Sequence, residues 1–398
     1  MSDAASIAAS IAEAPLAAFD LEFLSAERLV PVLCLVQVSW LPASTRLDVP
    51  EAVIVATVPE VRLLDPLATD VRPVIEALAA HPLVIAHAPR QDLGLLYTRF
   101  GIAMPNVVDT QLMAAFAGIG DQVGLATLAQ EMLGLSLAKE QQWTDWSTRP
   151  LSVAQLAYAD ADVRHLPALF ARLRSRLADR LPWVRAESAQ VAADAVAAAS
   201  VTPETAWRQL GGLRGMDAQS LATAIDLAAW RMRVAIELDR PIGQVLNEKV
   251  LVDLARQRPG NPGGVRAMKG VSPLAKQRAE ELVEIIQEAN PAAVKELVTS
   301  AGRPPSQRAQ RWAEMLLSIV QLVSEQTGVA PRLLATRSDA EEFARTFDEQ
   351  GFEGAGKLAA MTTWRREVIG QLWIDWLAGK SALTGEPLTA MGIKLEKL

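Results

Sequence analysis

The sequence predicts an α/β domain built on a mixed sheet, followed by two all-helical bundles. In the first part of the chain, apolar runs with the length of buried strands alternate with patterns of helical period. The predicted strands lie at 16–24, 30–40, 51–58 and 83–88, and the helical patterns lie at 71–80, 91–100 and 122–133. From about residue 151 onward the strand signals vanish, and helices with short loops fill the rest of the chain. Because 398 residues exceed one ordinary core, three domains are expected.

The first predicted strand carries two acids within an apolar run. In PLAAFDLEFL the alternation of side chains places Asp20 and Glu22 on one face and Phe19 on the other. One explanation is a solvated outer face of an edge strand. The acids share their face with Ala18 and Leu24, however, which are not surface types. Two carboxylates in such a closed environment repel unless a cation lies between them, so metal ligation is the favoured interpretation.

Two more acids follow, one at a strand end and one on a helix. Asp92 in LVIAHAPRQDLGLL comes just after a buried strand, where a turn enters a helix, which is a usual position for site residues in α/β sheets. The segment LSVAQLAYADADVRHLPALFARLRSRLAD is predicted to be one long helix with Ser152 as its N-cap. Tyr158 and Asp162 lie one turn apart on the same face of this helix. The alternative role for Tyr158 is that of a half-buried core aromatic.

The C-terminal half follows an alanine-rich stretch, AQVAADAVAAASVTPETAW, which is expected to be helical or a flexible connector closing at Pro203. Two later segments resemble one another, namely DRPIGQVLNEKVLVDLA and GVAPRLLATRSDAEEFA. Each combines a helix end, a proline, a short apolar anchor and a further helix. This pattern is consistent with a duplicated small helical module.

Composition limits the chemistry that the chain can perform. A single cysteine excludes an internal disulfide, and three histidines make a zinc site difficult to build, so a catalytic metal would be held by oxygen. The net charge is -7, yet residues 1–60 hold eight acids and two bases whereas residues 231–280 hold ten bases and five acids. An acidic module is therefore joined to a basic one. No apolar stretch is long enough to span a membrane and no basic residue precedes Arg28, so a cytoplasmic protein without a signal peptide is expected.

The ordered acids, with their Tyr-x-x-x-Asp pattern, resemble the DEDD exonuclease superfamily in its tyrosine-bearing branch. DTQLMAAFAG, LSLAKEQQWTDWSTRPLS and QLAYADADVRHL look like ribonuclease D, and AAWRMRVAIELDRPIGQVLNEKVLVDLARQRP resembles the HRDC domain of that family. GVAPRLLATRSDAEEF with WRREVIGQLWIDWLAG is similar to its second, more divergent HRDC-like domain. The resemblance implies a ribonuclease H-like exonuclease domain at 1–198 and two all-α HRDC-like bundles at 199–295 and 296–398.

The resemblance also implies roles for individual residues. Asp20, Glu22 and Asp162 would hold the ion that binds the attacking water. Asp20 would also reach a second ion, with Asp92 helping through water, and Tyr158 would orient the nucleophilic water. The cofactors would be two divalent ions, Mg²⁺ or Mn²⁺, which prefer oxygen ligands. The expected substrate contacts are Leu21, Gln37, His87, Lys139, Arg240, Lys249 and Lys269, although His87 is alternatively a satisfied core histidine.

The sequence departs from the family pattern at three positions. Leu21 stands where the family usually carries Thr, Ala138 stands where an Asp commonly precedes Lys139, and Trp143 occupies a position that is often basic. None of these changes removes a metal ligand. Nearby, Asp145, Trp146 and Arg149 are expected to form a local cap and salt bridge near the active site rather than to touch RNA.

The predicted function is that of a metal-dependent 3'-5' exoribonuclease that trims tRNA precursors and other small structured RNAs and releases nucleoside 5'-monophosphates. The expected partner is RNA, with no membrane and no obligate protein partner. Two alternatives stay open. The same carboxylates serve a single-strand DNA exonuclease, because no motif reports on the 2'-hydroxyl. A nuclease-like module that binds RNA without turnover is the third possibility.

Overall fold

The computed structural model describes residues 4–25, 27–138, 144–294, 305–387 and 389–398. Its first part is a five-stranded sheet with the strand order β3-β2-β1-β4-β5. The strands are β1 (Ala17–Leu24), β2 (Val32–Trp40), β3 (Glu60–Leu64), β4 (Val84–Ala86) and β5 (Val107–Asp109). β1 pairs antiparallel with β2 and parallel with β4, so the sheet is mixed, as predicted.

In the part of the chain that the structure describes, nine α-helices accompany this sheet. They are α1 (Ala4–Glu13), α2 (Glu51–Ala56), α3 (Arg72–Ala80), α4 (Arg90–Phe100), α5 (Thr110–Phe116), α6 (Leu125–Leu133), α7 (Val153–Arg164), α8 (Leu166–Leu177) and α9 (Leu181–Ala199). Phe19 and Leu21 pack into a core that includes side chains of α1, α3 and α4. Ala18, on the other face of β1, packs with side chains of α5 and α8. This confirms the alternation predicted for the first strand, and helices cover both faces of the sheet.

Two predicted elements of this domain are wrong. The apolar run 51–58 contains helix α2 rather than a strand, and the third strand begins at Glu60. Only Ile54 of α2 is buried, because the helix lies on the domain surface against α8. The predicted long helix is two helices, since α7 ends at Arg164 and α8 begins at Leu166 with a proline in its first turn.

Two local predictions are confirmed. Ser152 caps α7 with a capping box, in which its hydroxyl accepts from the Gln155 backbone N–H and the Gln155 side chain accepts from the Ser152 N–H. The alanine-rich stretch is helical, because it forms the second half of α9. Ala192 and Ala195 face the sheet, where their small side chains allow close packing.

The first helical bundle has a core of its own, formed by residues between 206 and 294. Its helices are α10 (Ala218–Leu238), α11 (Ile242–Val245), α12 (Glu248–Gln257), α13 (Pro262–Ala267), α14 (Pro273–Gln277) and α15 (Ala279–Glu288). Asp239, which ends α10 in the left-handed conformation, accepts from Arg28 Nε at 2.6 Å. Leu29, beside Arg28, packs against the core of the bundle, so this loop joins the bundle to the sheet domain.

The second bundle repeats the start of the first. Its elements are α16 (Gln307–Thr327), α17 (Pro331–Leu334), α18 (Arg337–Ala355), α19 (Thr363–Arg365), a π-helical turn (Arg366–Gly370) and α20 (Gln371–Leu377). α16, α17 and α18 follow one another with the same spacing as α10, α11 and α12. Gly328 ends α16 in the left-handed conformation, as Asp239 ends α10.

The expectation that this bundle contains helices alone is wrong. Strands β6 (Ser381–Gly385) and β7 (Ile393–Lys397) form an antiparallel hairpin. Leu383 lies opposite Leu395 in this pairing, and both pack against the apolar core that the bundle shares with the sheet domain.

The second bundle packs tightly onto the sheet domain. Trp364 stacks on Trp183 with ring centroids 5.0 Å apart and meets Phe116 edge-on. Arg365 forms a bidentate pair with Glu187, with distances of 2.6 and 2.7 Å. The two units therefore share one apolar core. Among the described residues, no helix is long and apolar enough to cross a membrane.

Candidate active site

Three carboxylates meet where β1 passes beneath α7. Asp20 and Glu22 project from the same face of β1, and Asp162 reaches this face from the last turn of α7. One oxygen of each carboxylate lies within 4.8 Å of the others. The Ser39 hydroxyl fixes α7 over the sheet by donating to the Val163 carbonyl at 2.8 Å. The sequence thus predicted the strand pair and the helical acid correctly as neighbours.

Asp92 adds a fourth carboxylate beside this cluster. It lies in the first turn of α4, directly after the loop that follows β4, and it is buried. Burial and the negative charge of Asp20 raise the pKa of Asp92 well above its usual value. This electrostatic coupling places Asp92 beside the cluster, although its oxygens lie outside the group of three.

The cluster is electrostatically unfavourable when no cation is bound. Burial raises the pKa of Asp20 to about 7. Burial, followed by repulsion from Asp20, Asp162 and Asp92, raises the pKa of Glu22 to about 9. The pKa of Asp162 is raised to about 8 by burial and by Asp20. Each shift shows that the ionised form lacks a counter-charge here.

The donor set fits a hard divalent cation. All four side chains offer carboxylate oxygens, which Mg²⁺ and Mn²⁺ prefer, and a divalent charge would remove the repulsion among them. The one cysteine, Cys34, is buried and lies outside this group. Among the described residues, Asp20, Glu22 and Asp162 are the one group of three or more His, Cys, Asp or Glu side chains with metal-binding geometry.

Tyr158 lies one turn before Asp162 on α7. Both residues line a cavity beside the carboxylates. Burial, followed by the negative charges of Asp162, Glu22 and Asp20, raises the pKa of Tyr158 far above its usual value. Its hydroxyl therefore keeps its proton at neutral pH and acts as a hydrogen-bond donor. The Trp146 ring packs beside the Tyr158 ring, with centroids 6.1 Å apart.

The loop that carries Trp146 is held by Arg149. The guanidinium donates to both oxygens of Asp65 at 2.7 Å and to the Cys34 carbonyl at 2.7 Å. Asp145 caps the same loop by accepting from the backbone N–H and hydroxyl of Ser147. The predicted local cap is confirmed, whereas Arg149 forms its salt bridge with Asp65 of the sheet domain and not within the loop. These contacts fix the surface on which Tyr158 rests.

A cavity of about 400 Å³ opens beside the carboxylates. Besides Asp20, Tyr158 and Asp162, its lining residues include His87, Gln111, Leu125, Leu137, Ala138 and Leu166. His87 Nδ1 lies 2.9 Å from the Thr110 hydroxyl, and burial lowers the pKa of His87 to about 4, so the ring is neutral. The His87 Nε2 atom is buried without a hydrogen-bond partner, so His87 is not the satisfied core histidine of the alternative, and it borders the space available to a ligand.

Sequence reasoning missed Asp109, which is the last residue of β5 and the N-cap of α5. Its carboxylate accepts from the backbone N–H groups of Ala88 and Gln111 at 2.9 and 2.7 Å. It thereby ties the cavity-lining turn at Ala88 to the start of α5. The rule that identified Asp92, an acid at a strand end, would also have identified this residue.

Two predicted substrate contacts are contradicted. The Leu21 side chain is buried in the core on the face of β1 opposite the acids. Gln37 is 0% exposed and pairs with Asp20 across β1 and β2, so it lies beneath α7, out of reach of a substrate. Lys139 and Trp143 lie outside the described residues. Ala138 is described and lines the cavity.

The predicted contacts Arg240, Lys249 and Lys269 lie on the first helical bundle, away from the carboxylates. All three are exposed. Not every basic residue of this region is exposed and free to bind a phosphate. Arg231 is buried and donates to the Leu246 carbonyl, and Arg278 is paired with Glu237. The basic surface is therefore smaller than the sequence count suggests.

The raised pKa values predict how the stability of the metal-free protein depends on pH. Asp20, Glu22 and Asp162 ionise near pH 4 in the unfolded chain but only near pH 7 to 9 in the folded one. Between these limits the folded protein binds more protons, so its stability falls as pH rises. Below pH 6.5, which is the ordinary pKa of a histidine, the lowered pKa of His87 instead makes the stability rise with pH.

Above pH 6.5, the change in stability with pH therefore reports on the carboxylates and not on His87. We expect the unfolding temperature in EDTA to fall between pH 6.5 and 9, and to fall less in Glu22→Gln, which lacks the group with the highest of these values. Thermal unfolding followed by circular dichroism measures this. Equal slopes for the two proteins would contradict the assigned repulsion.

Comparisons with known proteins agree with this geometry. A family model described as 3'-5' exonuclease matches residues 1–178, and a model of the HRDC domain matches residues 220–286. Ribonuclease D of Acidiphilium cryptum is 33% identical over 384 residues, which cover 94% of this chain and 90% of that protein. Ribonuclease D of Jannaschia sp. is 34% identical over 397 residues, which cover 96% and 95%. The crystal structure of Escherichia coli RNase D, an exoribonuclease involved in structured RNA processing, matches with a TM-score of 0.75 and 25% identity over 94% of this chain and 96% of that one.

Proposed function

Since the chain belongs to the ribonuclease D family and is a hydrolytic 3'-5' exoribonuclease, we propose that it trims the 3' ends of tRNA precursors and other small structured RNAs. The observation that carries this proposal is the meeting of Asp20, Glu22 and Asp162 beside a cavity, with Tyr158 on its wall. The bacterial relative of known structure is itself described as acting in structured RNA processing, which supports the substrate class.

Asp20, Glu22, Asp92 and Asp162 are the proposed ligands of two divalent ions. Asp20 lies between the other acids, since its charge raises the pKa of Glu22, Asp92 and Asp162, and it is the natural shared ligand. Bound there, the ions would supply a hydroxide near neutral pH and stabilise the leaving 3' oxygen. The raised pKa values mean that the carboxylates release protons when they become ligands.

Tyr158 is the proposed positioning group for the attacking water. Its protonated hydroxyl cannot act as a base at neutral pH, so it orients the water through a hydrogen bond. Attack on the terminal phosphodiester breaks the bond between phosphorus and the 3' oxygen. The 3' oxygen gains a proton, and the departing nucleotide leaves as a nucleoside 5'-monophosphate.

We assign the substrate-binding contacts to two regions of the chain. His87 borders the cavity, and Lys139 follows its lining residue Ala138 in the sequence. Arg240, Lys249 and Lys269 would bind phosphates farther along the RNA, with a salt-dependent affinity that tolerates different sequences. The proposed units are an exonuclease domain at 1–198, a first HRDC domain at 199–295 and a second HRDC-like domain at 296–398. A tRNA-precursor substrate would place the enzyme in the cytoplasm.

A time course on a 5'-labelled tRNA precursor with a short 3' trailer tests this proposal. The reactions contain Mg²⁺, Mn²⁺ or EDTA, and matched single-stranded DNA runs in parallel. We expect a ladder that shortens from the 3' end of the RNA and depends on metal. Shortening of DNA alone would overturn the substrate class. Binding of RNA without shortening would instead identify a nuclease-like binding module.

A further inference from the structure

Gln37 is the one buried glutamine side chain in the described chain for which neither polar atom has a hydrogen-bond partner. It is 0% exposed, in the middle of β2. A buried amide without partners destabilises the folded state, because its polar groups have lost their hydrogen bonds to water. An apolar side chain of the same size would avoid this cost, so the amide requires an explanation other than stability.

The position of Gln37 identifies the groups around it. In the sheet it pairs with Asp20 on β1 and with Leu63 on β3. Its neighbours on the same face of β2 are Leu35, which packs with Ala159 of α7, and Ser39, which donates to Val163 of α7. Gln37 thus lies between two contacts that hold the segment 159–163 of α7 to the sheet. That segment carries Asp162.

We propose that Gln37 is a positioning residue whose side-chain amide orients the Asp20 carboxylate for metal binding. The inference rests on the proposed function, because it requires the carboxylate cluster to be the metal site. An ionised carboxylate presents about four lone-pair positions, and ion binding leaves some of them facing the sheet. The Gln37 Nε2 group carries two donors that have no partner in this structure, and Asp20 is its cross-strand neighbour.

The two ends of the amide differ, because Nε2 donates hydrogen bonds and Oε1 accepts them. The side chain can present either end to Asp20, since its terminal torsion is broad and roughly two-fold. A methionine of similar length would offer neither interaction. The amide therefore costs stability and serves the ligand that the proposed ions share.

Mn²⁺ binding and thermal unfolding, measured without RNA, test this inference. Gln37→Met removes the amide and keeps the length of the side chain. We expect it to weaken Mn²⁺ affinity about tenfold by isothermal titration calorimetry, as loss of an outer ligand contact does in other metal sites. Its unfolding temperature in EDTA should be equal to that of the wild type or higher, because an unsatisfied polar group is gone.

Val38→Ala is the matched control, since it lies beside Gln37 on the same strand but is buried in the core on the opposite face, away from the carboxylates. It should lower the unfolding temperature and leave the Mn²⁺ affinity unchanged. If Gln37→Met binds Mn²⁺ with the affinity of the wild type, the proposed role of Gln37 is overturned but the proposed function is not. Absence of Mn²⁺ binding in the wild type would overturn the proposed function itself. Gln37→Leu is the second variant, and failure of both variants to fold would also overturn the inference, because the amide would then serve the fold.

Discussion

Replacement of Asp20 by asparagine is expected to lower RNA turnover roughly a thousandfold, because it removes the ligand that both proposed ions share. Asparagine has nearly the same shape, so the strand and the core beneath it remain intact. In EDTA the variant should be as stable as the wild type or more stable, since one of the repelling carboxylates is gone. Initial rates on a labelled RNA and thermal unfolding on the same preparations measure both effects.

Asp160→Asn provides the control for this experiment. Asp160 lies on the same helix as Asp162, but it pairs with Arg164 and is half-buried outside the cluster. Its replacement should leave turnover close to that of the wild type. If Asp20→Asn unfolds, Asp20 is structural, and if it retains full activity, the two-ion assignment is wrong.

Replacement of Tyr158 by phenylalanine is expected to lower kcat about a hundredfold, since a misplaced nucleophile costs this order of rate. The ring keeps its packing on Trp146, so the fold and Mn²⁺ binding should be preserved. Because the hydroxyl donates and does not take up a proton, the shape of the profile of kcat against pH should be unchanged. Single-turnover rates from pH 6 to 9 measure this.

Tyr97→Phe is the matched control, because the chain contains two tyrosines and Tyr97 lies on α4, outside the cavity lining. It should have wild-type kcat. Loss of one limb of the pH profile in Tyr158→Phe would contradict a positioning role and identify a general base. A large rise in KM with unchanged kcat would instead make Tyr158 a substrate-binding residue.

The strand acids were predictable because local rules determine their arrangement. Side-chain alternation placed Asp20 and Glu22 on one face of β1, and helical spacing placed Tyr158 and Asp162 on one face of α7. These rules depend on near neighbours in sequence and hold wherever the element forms. The meeting of the two faces followed from the family resemblance, since no local rule specifies how α7 lies on the sheet.

Errors arose where tertiary contacts decide the outcome. The run 51–58 is rich in β-branched residues, yet it contains a helix because Pro50 and Glu51 begin one and Ile54 packs inward. Propensity is outweighed there by packing. The hairpin of β6 and β7 was missed because its short strands form only where Leu383 and Leu395 meet a shared core.

Leu21 and Gln37 show the limits of transferring roles from a motif. Both lie next to a metal-site position, in sequence or across the sheet, and both were assigned to substrate. Alternation sends the Leu21 side chain to the opposite core, which the spacing alone already implied. The burial of Gln37 depends on α7 above it, so only the folded chain distinguishes a substrate contact from a support beneath the site.

The second bundle is more closely integrated with the sheet domain than the first. Its shared core with the sheet domain and the Glu187–Arg365 pair make it part of the structural unit that carries the site. The first bundle has a separate core and carries exposed Arg240, Lys249 and Lys269. Of the two bundles, the first is better suited to bind an RNA backbone, because these basic side chains do not pack against the nuclease domain.

The central claim is that the carboxylate cluster holds two ions. Anomalous diffraction from crystals of the protein soaked with Mn²⁺ and a nucleoside 5'-monophosphate tests it most directly. The account predicts two manganese peaks about 3.5 to 4 Å apart, with Asp20 bound to both and Glu22 and Asp162 bound to one of them. A fully active protein whose crystals show no manganese at Asp20, Glu22 and Asp162, or show it at another site, would contradict the account.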